Sequence, residues 1–155
     1  MSYYIRVFCT DKSRPSIAQL ESALKGKNPA ARFETGDDRQ SSDWSEAEFH
    51  YKNGKNPVVV EVNVNDGAES LAAEESREFM DEIGKPGFSI AKRRVLGHLA
   101  RTRFIICCQL LSDIDDDGYQ ANGELLNYYV ENHGGMIQAD GEGFYRGNKA
   151  IVVLP

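Results

Sequence analysis

SDIDDDGYQANGELLNYYVENHGGMIQADGEGFYRGNKAIVVLP, residues 112–155, reads in order as an acidic loop, a helix and a closing set of strands. Leu125, Leu126, Tyr129 and Val130 recur at helical spacing, and the stripe stops at Gly134 and Gly135, residues suited to the left-handed exit from a helix. MIQA then makes a short strand, and GFYRGNKAIVVL a hairpin turning at Gly147–Asn148. The first third of the chain has the same layout. YYIRVFCT at 3–10 is dominated by aromatic and β-branched residues and reads as a strand. Ile17, Leu20 and Leu24 predict a helix over 15–25 that stops at Gly26, and ARFET is a short strand. FHYKNGKNPVVVEV folds back at Asn53–Gly54, which predicts strands at 46–52 and 57–64.

Two helices lie between these regions, one opened by Ser70 and the other by Ser89, and RFIICCQLL follows as an apolar run suited to a central strand buried on both faces. The fold expected is α+β: mainly antiparallel sheet with helices packed on one face, in a single domain, 1–155. It divides into two related β-α-β-β-β halves, 1–65 and 102–155, joined by a helical connector at 66–101. An internal duplication would account for that symmetry, although any two hairpins share turn chemistry. The polar stretch GDDRQSSDWS, which holds the one tryptophan, reads as a loop.

A chain of 155 residues buries enough surface to fold without metal or disulfide staples. Its three cysteines form no disulfide framework or zinc spacing, and no apolar run is long enough for a membrane span. The opening MSYYIRVFCTDKSR lacks a secretory pattern, so a cytoplasmic location is expected. Net charge is -6, unevenly spread. Six of the 18 basic residues and none of the 24 acids fall between Glu82 and Asp113, so that segment carries +6 and the remainder -12. Such a split speaks against the broad basic footprint of a nucleic-acid binder, and nucleic acid is not an expected partner.

The acidic loop holds the first candidate site. Asp113, Asp115, Asp117, Gly118 and Glu124 match the calcium-loop pattern, in which alternate acids converge on a cation, Tyr119 offers its carbonyl and Glu124 closes the shell. Gln120 stands where such loops carry a branched apolar residue, there is no sister loop, and a strand leads in. An acidic run before a helix is also what capping and the helix dipole select. The metal set is thus Asp113, Asp115, Asp117, Tyr119 and Glu124, with calcium as the alternative to no cofactor.

Lys92, Arg93, Arg94 and Arg101 form a second candidate, a basic face able to hold an anion, against the plainer reading of a solvated helix surface. Enzymatic readings have less to stand on. Cys107 and Cys108 sit in an apolar run pointing to opposite faces, and His50, His98 and His133 have no metal-ligand spacing. Asp140 and Glu142 would join Asp113, Asp115 and Asp117 in a carboxylate cluster for acid–base work only if the two loops met in space.

The ending GGMIQADGEGFYRGNKAIVVLP resembles the tails of small uncharacterised bacterial proteins, some found in settings suggestive of toxin immunity. The resemblance brings no catalytic residues. It implies a soluble, non-enzymatic binder that covers a site on another protein. An acidic surface suits a basic partner by steering and complementarity. The expected partner-binding residues are Asp113, Asp115, Asp116, Asp117, Tyr119, Asp140, Glu142 and Tyr145. Calcium binding and a small carboxylate enzyme are the alternatives.

Overall fold

A computed structural model describes residues 3–146 and 149–154. The first half runs β1 (Tyr3–Cys9), α1 (Ile17–Lys25), β2 (Arg32–Glu34), β3 (Glu46–His50) and β4 (Val58–Val64). Two helices follow, α2 (Leu71–Ile83) and α3 (Ile90–Ala100). The second half is β5 (Phe104–Leu110), α4 (Asp116–Asn132), β6 (Gly135–Ala139), β7 (Gly143–Arg146) and β8 (Lys149–Val153). The eight strands of the described residues join one antiparallel sheet in the order β2-β3-β4-β5-β1-β6-β7-β8. The α+β class and the antiparallel sheet are as expected.

One expectation is corrected: the helices occupy both faces. Alternation along the central strands shows why. On β1, Val7 and Cys9 pack into a core with Leu20 of α1 and Leu125 and Tyr129 of α4, whereas Phe8 packs into a second core with Val95 and Leu99 of α3. On β5, Phe104, Ile106 and Cys108 join the first core and Ile105 the second. Strands apolar on both sides need cover on both sides. Towards β2 this changes. Phe33, Phe49 and Val60 belong to the first core, while their neighbours Glu34, Glu48 and Glu61 are exposed on the opposite face. Helices α2 and α3 pack above the β1, β6, β7 and β8 side of the sheet, and α2 reaches as far as β4.

Local signals explain the boundaries. Ser16 caps α1 in a capping box, accepting from the Gln19 N–H while the Gln19 side chain accepts from the Ser16 N–H. Ser70, Ser89 and Asp115 cap the other three helices. The β3–β4 register pairs Phe49 with Val58 and Glu46 with Glu61, centring the turn on Asn53–Gly54, where Gly54 has φ 82°. The corresponding turn at Gly147–Asn148 lies outside the described residues; Arg146 pairs with Lys149 across it. The 36–45 loop is held by Trp44, which is 2% exposed and donates its indole N–H to Pro15 O at 2.9 Å.

Element order repeats between the halves, but lateral order does not. β4, the last strand of the first half, lies beside β5, whereas β6 rather than β8 lies beside β1. A two-fold repeat would place β8 there, so the sheet does not carry the symmetry that a duplication predicts.

Candidate functional site

The acidic loop is partly neutralised from within the chain. The tip of the β3–β4 hairpin reaches it: Lys52 Nζ lies 2.5 Å from Asp115 Oδ2 and 2.9 Å from Asp117 Oδ2, and Lys55 Nζ donates to Asp113 O at 3.0 Å. Asp113 Oδ2 accepts from the Asn56 N–H, and Asp115 Oδ1 accepts from the Gly118 N–H as the α4 cap. The hydrogen bond from Lys52 holds the Asp115 carboxyl below its ordinary range, and Asp115 and Asp117 push the Lys52 ammonium up. Helix α4 starts at Asp116, so Tyr119 and Glu124 stand on helical turns. Capping by Asp115 thus starts the helix inside the 113–124 segment that the sequence offered as an alternative calcium loop. Gly118 itself is packed against Ile114 and Tyr51, where a Cβ would come within 2.5 Å of the former and 2.8 Å of the latter.

The second acidic group sits apart from the first. Asp140 Oδ1 accepts from Arg6 Nη1 at 2.8 Å, and Arg6 also pairs with Glu75 at 3.0 Å and donates to Gln138. Glu142 accepts from Tyr3 and Tyr145. Burial raises the Tyr3 hydroxyl pKa, with Glu142 adding to it. Among the described residues no hydrogen bond or ion pair joins Asp140 or Glu142 to Asp113, Asp115, Asp116 or Asp117. Of the expected partner-binding residues, Asp116, Asp117, Tyr119 and Glu142 remain exposed, while Asp113, Asp115, Asp140 and Tyr145 are half-buried.

A third acidic surface, absent from the sequence-based expectations, lies on the bare face of β2–β4. Glu34 stands directly across from Glu48, and Glu46 directly across from Glu61. Side chains in such positions have Cβ atoms about 4.5–5.5 Å apart, and like charges there destabilise the sheet. Arg32 pairs with Glu34 and lowers its pKa, with His50 contributing. Glu46 and Glu61 have no cationic partner among the described residues. Val59, half-buried, faces the same way between Glu48 and Gln109, and Tyr4 continues that row. At the rim, Glu34, Thr35, Asp37, Ser45, Glu46 and Glu48 line a groove of about 510 Å³. Asp37 fixes its wall by accepting from the Ser45 N–H and, more weakly, the Glu46 N–H, which keeps its carboxyl pKa low.

Donor atoms of Glu34, Glu48 and His50 lie within 4.8 Å of one another, making this the one group among the described residues arranged to hold a metal ion. His50 Nε2 is 3.5 Å from Glu34 and 3.8 Å from Glu48, is buried and has no hydrogen-bond partner.

The expected anion set divides. Arg93 donates to Gly87 O in the α2–α3 loop at 2.7 Å, and neither it nor Lys92 lines the cleft that the other two share. Arg94 and Arg101 instead face a cleft with His98 and Arg146. Arg146 was missed because it lies 45 residues beyond Arg101 and arrives only through the β6–β7 pairing.

No helix of the described residues is long and apolar enough to cross a membrane. No protein-family model matches the chain, and comparisons with curated proteins and with solved structures likewise give no match.

Proposed function

We propose that the protein is a non-enzymatic binding module that uses the bare face of β2–β4 to cover a basic segment of another protein. The carrying observation is the pair of cross-strand glutamate contacts, Glu34 with Glu48 and Glu46 with Glu61, whose four side chains stay exposed on the face opposite the first core. Repulsion built into a folded surface is relieved by bringing positive charge to it. Lysine and arginine side chains suit the site because their ammonium or guanidinium heads meet the glutamates while their aliphatic stems lie on Val59 and Tyr4. This keeps the acidic, occluding role expected from the sequence and moves its surface from residues 113–117, whose charge Lys52 and Lys55 answer in part, to the sheet.

The test is binding of a fluorescent lysine- and arginine-rich peptide, followed by anisotropy across a salt series. The Glu46→Gln/Glu48→Gln double variant is expected to lose roughly tenfold or more in affinity and to flatten the salt dependence. An Asp116→Asn/Asp117→Asn control is expected to bind like wild type. Equal loss in both, or in neither, would sink the reading. A divalent cation is the competing occupant of this face. A zinc- or calcium-dependent rise in Tm abolished by His50→Gln and by Glu48→Gln would replace the protein partner with a metal.

A further inference from the structure

We propose that the cleft between α3, the start of β6 and the end of β7 binds a small, multiply charged phosphate compound. This site is independent of the acidic face and lies at the opposite end of β7 from Glu142. Thr10, Arg94, His98, Arg101, Met136 and Arg146 contribute to its wall, which encloses about 350 Å³, a volume suited to a small molecule.

The arginines converge from separate parts of the chain. Arg94, His98 and Arg101 are spaced by four and then three residues, so they follow one stripe of α3 and its C-cap. The neighbouring positions Val95 and Leu99 are buried in the second core, which fixes the rotation of the helix. His98 locks it further by donating its Nε2–H to Phe8 O at 2.7 Å. Arg146 reaches the same place because Met136 pairs with Phe8 and Ile137 with Tyr145, which brings the end of β7 alongside the start of β6.

Charge makes the cleft specific. No carboxylate lines it, and none of the three arginines has an acidic partner among the described residues. Asp11, which follows Thr10, is turned to Ser13 and the Lys12 N–H, and lies 3.5 Å from His133. Three unanswered guanidinium groups around one concavity repel one another. Their fork geometry matches phosphate oxygens, and three forks exceed what a single carboxylate can engage. The C-terminus of α3 is the wrong pole for an anion, so attraction must come from the arginines alone. Its last carbonyls are already satisfied, His98 O by the Arg101 N–H and the Thr102 hydroxyl. Among the described residues no Phe, Tyr or Trp side chain lines the cleft, and the His98 ring is tied to Phe8 O, which leaves little stacking platform for a nucleic-acid strand.

The test is calorimetric titration with pyrophosphate, beside inorganic phosphate and sulfate at matched ionic strength. Saturable pyrophosphate binding is expected, weaker with phosphate and weakest with sulfate. Arg94→Gln and Arg146→Gln are each expected to lower pyrophosphate affinity by about tenfold or more, while Arg93→Gln leaves it unchanged. Circular dichroism on the same samples separates lost binding from lost folding, and Arg146→Lys, which keeps the charge without the fork, should fall between. Absence of saturable binding, or equal binding in Arg94→Gln, Arg146→Gln and wild type, overturns the proposal. Tighter binding of a phosphoserine peptide or an oligonucleotide than of pyrophosphate overturns the assignment to a small molecule.

Discussion

Two acidic regions of this protein are treated in opposite ways. The 113–117 loop concentrates four aspartates in five residues, yet two lysines from the β3–β4 hairpin and the N-terminus of α4 answer much of that charge. The glutamates of β2–β4 are spread over 28 residues of sequence and are gathered by strand pairing into two like-charged contacts. Density of acid along the chain thus misleads about where negative charge remains free. What decides is the strand register, and whether a cation is within reach.

The largest effect expected from breaking this contrast is on the loop side. Asp115→Ala removes both the α4 cap and a partner of Lys52, and should lower Tm by about 2–4 °C or more. A change within error would mean that the loop is merely solvated. On the sheet side the sign reverses. Glu46→Gln relieves a repulsion and should raise Tm by about 1–2 °C, measured by calorimetry at low salt, and a fall in Tm would remove the argument from like-charge pairing.

Acid sharpens the same comparison. The folded-state pKa of Asp115 is depressed, so its contribution is present above its ordinary value near 3.8 and is lost as pH falls through the lower folded value. The stability gap between wild type and Asp115→Asn should therefore close in acid-titration unfolding below that point; a gap that persists unchanged would exclude the charged pair as its cause. The smallest effect is that of salt. Screening should stabilise wild type by about 1 °C between low and moderate ionic strength, and less in Glu46→Gln/Glu48→Gln, as followed by thermal melts.

Much of the fold was legible because its signals are local. Asn53–Gly54 sets the β3–β4 register, and Ser70, Ser89 and the break at Gly26 mark helix ends that the structure keeps. That same turn also implied Glu46 opposite Glu61, a consequence available from counting outward from the turn. Glu34 opposite Glu48 was not available, since β2 and β3 are joined through a loop ordered by Trp44 and Asp37. The expectation of helices on one face failed at β1 and β5. Phe8 and Ile105 alternate with Val7 and Ile106, and such two-sided apolar strands ask for two layers of cover. Of the arginine cleft, Arg94 and Arg101 were visible as a helical face, whereas Arg146 depends on which strand lies beside which.

The position of β1 has a consequence for synthesis. Among the described residues this strand pairs with β5 and β6, so its ladder bonds are to residues 104–139. A nascent chain halted near residue 100 holds α1, the β2–β4 meander and both connector helices, yet leaves β1 without a neighbour and β4 with an open edge. Closure of the sheet must await the last third of the chain, and the long loops that this closes set a slow, late folding step. Until then the emerging strand YYIRVFC is a segment for which a chaperone can compete.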